Sequence, residues 1–153
     1  MSQDEAKPDD FQKIKESAFR LLARRDHSAF ELKQKLKQKF SLADETFQTL
    51  LSYLNNLGYM ADENVLSQRW VKQWRAEGRG RQWIQGKLRT KGLPQIDLRD
   101  DENELESAKE FLKKKLSSSI EKLDYKKKAK LARSMISRGF SGPVVATLLK
   151  EIN

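Results

Sequence analysis

Apolar residues recur along this chain at the three- and four-residue spacing of amphipathic α-helices. Near the N-terminus, one helical face carries Phe11, Ile14, Ala18, Leu21 and Leu22. Similar stripes continue to the C-terminus, and no segment shows the sustained alternation that is typical of a β-strand. The pattern therefore predicts an all-α protein whose helices are separated by short turns.

Capping residues predict where several of these helices begin and end. Ser28 and Glu31 have the spacing of a capping box, in which each side chain accepts the backbone N–H of the other. Ser41 and Asp62 are placed to cap two later helices. Gly58 is placed to end one helix in the left-handed conformation.

A weak internal repeat organises the predicted helices. Two apolar residues four positions apart, followed by a basic residue, recur at Leu32/Leu36/Lys39, Ile84/Leu88/Lys91 and Leu131/Met135/Arg138. Repeats of about fifty residues indicate stacked supersecondary units. We predict three tandem three-helix repeats, stacked into an elongated, curved array, over residues 11–60, 61–103 and 104–153. Residues 1–10 are predicted to be a disordered acidic tail, and Pro94 fits the first turn of a short helix over residues 95–103.

The amino-acid composition argues against disulfide-linked, thiolate-metal, secreted and membrane-spanning proteins. The chain of 153 residues has no cysteine, which excludes disulfides and thiolate metal sites. Its N-terminus lacks the apolar segment of a secretory signal, and no apolar run approaches the roughly 20 residues of a membrane helix. We therefore predict a cytoplasmic protein.

Positive charge is concentrated in two parts of the chain. The formal net charge is +9, but residues 63–93 contain eight Lys/Arg against two Asp/Glu, and residues 108–153 contain twelve against four. Such clustering favours a polyanionic partner. The residues predicted to contact this partner are Arg24, Arg25, Arg69, Lys72, Arg75, Arg79, Arg81, Lys87, Arg89, Lys91, Lys126, Lys127, Lys128, Lys130, Arg133 and Arg138.

We interpret the tryptophans and the single histidine as structural residues, not as binding or catalytic groups. Trp70, Trp74 and Trp83 lie on apolar stripes, so we assign them to the core instead of to base stacking. His27 is the only histidine and has no second histidine or cysteine with which to share a metal ion. The chain contains no P-loop, nucleophile elbow or dinucleotide-binding turn. We predict a protein that is not an enzyme and that needs neither cofactor nor metal.

Four segments, taken in order, resemble one known family. Arg25–Leu36 is similar to the RecX pattern R-x-x-S-x-x-E-L-x-x-K-L, and Leu57–Glu63 is similar to the family's join between repeats, L-G-Y-L-x-D. Gly78–Leu93 resembles G-x-G-x-x-x-I-x-x-x-L-x-x-K-G-I, and Arg138–Phe140 resembles the R-G-F of the third repeat. The resemblance covers about residues 18–150, although the first middle helix ends in Lys39-Phe40 where the family has Lys-Gly.

The resemblance to RecX implies both an architecture and a function. RecX-like proteins are built from three three-helix repeats and regulate the recombinase RecA. They bind in the groove of the filament that RecA forms on single-stranded DNA. They typically inhibit its ATPase, strand-exchange and coprotease activities in DNA repair, recombination and the SOS response. A monomer that binds the RecA filament, and single-stranded DNA directly or through RecA, is therefore expected.

Two other functions also agree with the sequence. A RecA-independent nucleic-acid-binding helical module would use the same basic clusters, and its binding would weaken steeply as salt rises. A helical scaffold for an acidic protein partner would need no nucleic acid at all.

Overall fold

The computed structural model describes residues 8–99, 101–116 and 123–152. Eight α-helices lie in these ranges: α1 (Pro8–Arg24), α2 (Ala29–Lys37), α3 (Asp44–Asn56), α4 (Glu63–Ala76), α5 (Arg81–Thr90), α6 (Asp101–Leu116), α7 (Tyr125–Ser137) and α8 (Gly142–Glu151). No described residue belongs to a β-strand, so the predicted all-α helical-repeat fold is confirmed. Residues 1–7 of the predicted tail lie outside the described residues, and residues 8–10 open α1. None of the described helices is long and apolar enough to cross a membrane.

Local capping fixes several helix ends as predicted. At the start of α2, the Ser28 hydroxyl accepts the Glu31 backbone N–H at 3.0 Å, and the Glu31 carboxylate accepts the Ser28 backbone N–H at 3.4 Å. Asp62 accepts the Val65 backbone N–H at 3.1 Å at the start of α4. Gly58, with φ of 77°, follows α3 in the left-handed conformation, as the sequence predicted.

The predicted cap at Ser41 is wrong, because α3 begins three residues later at Asp44. Its N-cap is Ala43, which makes no side-chain capping bond. Leu42, the residue before this cap, and Phe47, the fourth residue of α3, are both buried in one apolar cluster. They occupy the two positions of a hydrophobic staple, so burial decides where α3 starts.

The chain folds into two compact units. Among the described residues, unit 1 comprises those up to Leu66 together with Thr90–Pro94, and unit 2 comprises Ser67–Arg89 together with those that follow Pro94. The fully buried apolar side chains of unit 1 come from α1, α2 and α3 and include Ile14, Ala18, Leu32, Leu36, Leu50 and Leu54. The corresponding cluster of unit 2 comes from α6, α7 and α8 and their turns and includes Ala108, Phe111, Met135, Phe140, Val145 and Leu148.

The short helix predicted over residues 95–103 is absent from the described part of that segment. Residues 93–99 form no regular element, and residues 101–103 instead open α6, the first helix of the C-terminal group. Leu93 and Leu98 are both buried. They are five residues apart, and this spacing would not place them on one face of a helix. The segment is therefore ordered by burying these two side chains instead of by helical hydrogen bonds.

Candidate polyanion-binding surface

Two residues predicted to contact the partner form an internal ion cluster in unit 1. The Arg25 guanidinium donates to Glu31 at 2.7 Å, and the Lys91 ammonium lies 3.2 Å from the same carboxylate oxygen. The Ser28 hydroxyl also donates a short hydrogen bond to the Lys91 carbonyl. Arg25 and Lys91 thus join α2 to the turns around it, and their predicted partner contact remains a prediction.

The ion cluster changes the acidity of the Glu31 carboxyl group. Burial alone raises the pKa of Glu31, but the hydrogen bond from Arg25 and the charge of Lys91 outweigh it and hold the pKa at about 2. The carboxylate is therefore ionised at neutral pH although its side chain is only 10% exposed. A nearly buried charge of this kind stabilises a fold only while its partners remain in place.

His27 has the structural role that the sequence predicted. It is 2% exposed, its Nδ1 lies 3.0 Å from the Arg25 carbonyl, and its Nε2 lies 2.9 Å from the Lys35 ammonium. Because an ammonium can only donate, Nε2 accepts this bond and Nδ1 carries the proton. Burial, together with the charges of Arg25 and Lys35, lowers the pKa of His27. The imidazole is thus neutral, and contacts at both ring nitrogens fix its orientation.

The tryptophans pack together in unit 2. Trp74 is buried, stacks on Trp70 with centroids 5.1 Å apart, and meets Trp83 edge-on at 5.5 Å. The Arg79 guanidinium lies over the Trp83 ring at 4.4 Å, and the Lys87 ammonium lies 5.4 Å from the same ring. The Trp83 ring thus makes cation–π contacts within the protein. The predicted core position holds for Trp74, whereas Trp70 and Trp83 are only half-buried.

Arg81 belongs to a second buried carboxylate site, also in unit 2. Glu104 of α6 is 3% exposed, and its Oε1 accepts the Ser141 backbone N–H at 3.1 Å. Arg81 Nε lies 3.6 Å from the other carboxylate oxygen, which is ion-pair range but too long for a hydrogen bond. Glu104 thus joins the starts of α5, α6 and α8, and Arg81 balances its charge.

A cleft of about 210 Å³ gathers basic side chains from separate elements of unit 2. Its cations are Arg75 from α4, Lys114 and Lys115 from α6, and Arg138 from the turn after α7. Phe111 forms its apolar wall, with the Arg138 guanidinium 5.1 Å from the ring. Glu77 and Glu110 also line it. We call this site the arginine cleft, because two guanidinium groups define it.

A second cleft of about 230 Å³ shares Lys115 with the arginine cleft. The described residues that line it are Lys115, Leu116, Leu123, Lys127, Lys130, Leu131 and Ser134. We call it the lysine–leucine cleft. The two basic clusters predicted from the sequence therefore meet through the end of α6. Lys114 and Lys115 were not among the residues predicted to contact the partner, although the run of three lysines at 113–115 was visible in the sequence.

The remaining predicted residues do not line either cleft. Those exposed on their helices are Arg24, Arg69, Lys72, Arg89, Lys126 and Arg133. Lys128 lines a shallow groove with Tyr125, Ala132 and Lys150. Within the described ranges, no group of three or more His, Cys, Asp or Glu residues is placed to hold a metal ion.

The fold and its basic clefts define a small all-α helical-repeat protein with a cationic surface. Two family models match the chain: the third three-helix domain of RecX over residues 101–149, and the first over residues 15–44. The match to the third domain begins at the first residue of α6. This coincidence agrees with the assignment of residues 101–103 to the C-terminal group of helices.

Whole-chain relatives give the same family. The regulatory protein RecX of Legionella pneumophila (strain Corby) is 32% identical over 143 residues, which is 90% of this chain and 93% of the relative. The one from Acinetobacter baylyi is 31% identical over 143 residues, covering 92% and 88%. A crystal structure of RecX from Lactobacillus salivarius aligns with a TM-score of 0.71 at 22% identity, covering 94% of this chain and 96% of that chain. This chain belongs to the RecX family.

Proposed function

We propose that this protein regulates RecA by binding the filament that RecA forms on single-stranded DNA, and that it inhibits the filament's ATPase, strand-exchange and coprotease activities. The observation that carries the proposal is the similarity to proteins named regulatory protein RecX, which extends over 90% of the chain. We expect it to act as a cytoplasmic monomer in DNA repair and the SOS response, by occupying the filament groove and not by catalysis.

The arginine cleft supports contact with a polyanion in that complex. Its four cations come from α4, α6 and the turn after α7, so the fold of unit 2 brings them together. Guanidinium groups recognise phosphate or carboxylate oxygens through two parallel hydrogen bonds. Phosphates of filament-bound DNA, or acidic residues of RecA, are the ligands that this cleft suits.

The proposal is tested by the DNA-dependent ATPase of the cognate RecA on single-stranded DNA. We expect inhibition when this protein is added well below one molecule per RecA, because a protein in the groove of a filament blocks several subunits or its growing end. An unchanged ATPase over the whole titration, with the filament intact, would contradict the proposal.

Charge reversal in the arginine cleft should weaken this inhibition. We expect the double variant Arg75→Glu/Lys114→Glu to need about tenfold more protein for half-inhibition, because like charges then face the polyanion. The matched control is Lys109→Glu/Lys113→Glu, which changes the net charge equally at exposed positions of α6 outside both clefts. Equal weakening in both variants would show that net charge acts, and not this cleft.

The basic clefts also favour the second candidate, a nucleic-acid-binding module that does not depend on RecA. Binding to naked single-stranded DNA through phosphates weakens linearly on a log–log plot against salt. If the ATPase is unaffected while salt-sensitive DNA binding remains, the RecA-independent function is the correct one.

A further inference from the structure

We propose that one exposed face of α3 in unit 1 docks against an uncharged protein surface of the RecA filament, separately from the polyanion contact at the arginine cleft. The inference rests on the proposed function and deepens it, because it assigns contact with RecA protein to a particular surface by its chemistry. We call this surface the charge-free face. It consists of the exposed side chains of residues 48–59.

The charge-free face lies in the longest uncharged run of the chain. Residues 46–61 are sixteen consecutive positions without Asp, Glu, Lys or Arg, in a chain of which 35% of the residues are charged. The run covers most of α3 and the turn after it. The exposed side of α1 differs, since it carries Lys13, Glu16 and Arg20. A helix surface that only meets water has no need to exclude charged residues, which are the commonest exposed ones.

Helical spacing gathers the polar residues of the run on one side of α3. Thr49, Ser52 and Asn56 follow one another at i, i+3 and i+7, and Gln48 and Asn55 flank them. All five side chains are exposed, and each amide or hydroxyl both donates and accepts hydrogen bonds. These groups suit the polar but uncharged groups of a protein surface. They do not supply the cations that neutralise phosphates.

Large apolar and aromatic side chains are exposed beside these polar residues. Tyr53, Leu57 and Tyr59 are 40%, 49% and 52% exposed. Seven large hydrophobic side chains are exposed among the described residues, and these three lie within seven consecutive positions. Single exposed apolar residues are ordinary, whereas a group of them marks an interaction surface.

Contacts within unit 1 fix the two tyrosines in place. The Tyr59 backbone N–H donates to the Leu54 carbonyl at 3.0 Å, so the left-handed turn at Gly58 sets where Tyr59 leaves the helix. The Phe19 ring of α1 meets Tyr59 edge-on at 5.3 Å and Tyr53 edge-on at 6.3 Å. Rings that are already held lose little conformational freedom on binding, and tyrosine is enriched at protein interfaces.

Electrostatics selects the partner for this face. Lys15 of α1 borders it, 5.1 Å from the Tyr53 ring, but the face itself has no cation with which a DNA strand could pair its phosphates. A second copy of the chain is disfavoured, because each copy carries a net charge of +9 and the two repel each other. A RecA filament on DNA attracts that charge and also presents protein surface. RecA is therefore the partner that fits both observations.

The test adds positive charge to the charge-free face. Ser52→Lys/Asn56→Lys brings two lysines to exposed positions of α3, where lysine is a better helix former than serine or asparagine. We expect about tenfold weaker binding to RecA filaments assembled on single-stranded DNA, because the ammonium groups lose hydration against an uncharged surface. Binding to the same DNA without RecA should be equal or tighter, since lysine attracts phosphate. Biolayer interferometry with immobilised DNA measures both affinities.

The matched control is Gln34→Lys/Gln38→Lys in the same unit. It adds two lysines at the same four-residue spacing, at exposed positions of α2 and its C-cap. Its affinity for the filament should equal or exceed that of the parent, because it changes the net charge without altering the charge-free face. Leu57→Ser removes an exposed apolar side chain without adding charge and should weaken filament binding about fivefold. Circular dichroism checks that helicity is kept, and the lysine variant decides if Leu57→Ser is misfolded.

Three results would count against the inference in different ways. Filament binding by Ser52→Lys/Asn56→Lys that is as tight as that of the control would overturn it. A dimer of the parent in sedimentation that this variant dissociates would assign the face to a second copy and overturn it as well. A parent that fails to bind filaments at all would contradict the proposed function together with this inference. A parent that binds, with an affinity insensitive to both α3 variants, contradicts this inference alone.

Discussion

Replacing Gly80 with alanine will destabilise unit 2 by about 3 kcal/mol. This value is close to the upper end of the destabilisation that one added methyl group usually causes in a packed interior. A Cβ at this position would lie 2.3 Å from the Gly139 carbonyl carbon and 2.3 Å from the Phe140 backbone nitrogen. Both are backbone atoms, so no side chain can rotate away to make room. The two turns also share hydrogen bonds, from Gly80 N–H to the Arg138 carbonyl at 2.8 Å and from Gln82 N–H to the Gly139 carbonyl at 3.1 Å.

The effect can be measured in unit 2 directly. All three tryptophans of the chain lie between residues 67 and 89, so tryptophan fluorescence in a urea titration follows the unfolding of unit 2. The matched control is Gly86→Ala in α5, where the added Cβ meets no atom within 4 Å. Alanine is the better helix former, and this variant should be about 0.5–1 kcal/mol more stable than the parent. Equal midpoints for Gly80→Ala and the parent would show that the close approach of the two turns is not maintained in solution.

Replacing Glu31 with glutamine will destabilise unit 1 by roughly 2–3 kcal/mol at neutral pH, because the pKa of this carboxyl is about 2 against an ordinary 4.5. Glutamine keeps the shape of the side chain and its carbonyl oxygen can still accept the Ser28 N–H, so the capping box is preserved. What is lost is the negative charge between Arg25 and Lys91, which are 2.7 and 3.2 Å away.

The effect of the Glu31→Gln change depends on pH. Because the pKa of Glu31 is lower in the folded than in the unfolded chain, its contribution is fully present above about pH 4.5 and is lost as the pH falls towards 2. Urea denaturation followed by far-ultraviolet circular dichroism should therefore show the parent and the variant converging at acidic pH. A stability difference that stays constant from neutral pH to about pH 2 would mean that shape, and not charge, matters at this position.

Asp97 provides the control for Glu31. Its pKa is also about 2, lowered by the side-chain hydrogen bond from Arg99, but the pair is formed by neighbouring exposed residues. Solvent screens such a pair, and its net contribution to folding is small. Asp97→Asn should leave the unfolding transition unchanged at every pH. A similar pKa at a buried and an exposed carboxyl should thus have very different consequences for stability.

The sequence by itself determined the features that depend on neighbouring residues. The apolar stripes, the capping box at Ser28 and Glu31, and the left-handed turn at Gly58 all act within one or two turns of a helix. Apolar stripes and helix caps recur along the whole chain, and their recurrence predicted an all-α protein built from repeats. The same short motifs carried the resemblance to the RecX family, which the whole-chain relatives confirm.

Only the tertiary structure decided which charged residues pair inside the protein and which line a cleft. Arg25 and Lys91 lie far apart in the chain, yet they meet at Glu31, and Arg75 and Arg138 line one cleft together with Lys114 and Lys115. The start of α3 was likewise set by the burial of Leu42 in a cluster with distant residues, and the irregular segment at residues 93–99 contains the buried Leu93 and Leu98. Spacing along one helix fixes which face a side chain occupies, but not what the rest of the chain brings to that face. Packing between helices supplies that information, and a lysine or arginine looks the same in sequence whether it pairs internally or lines a binding cleft.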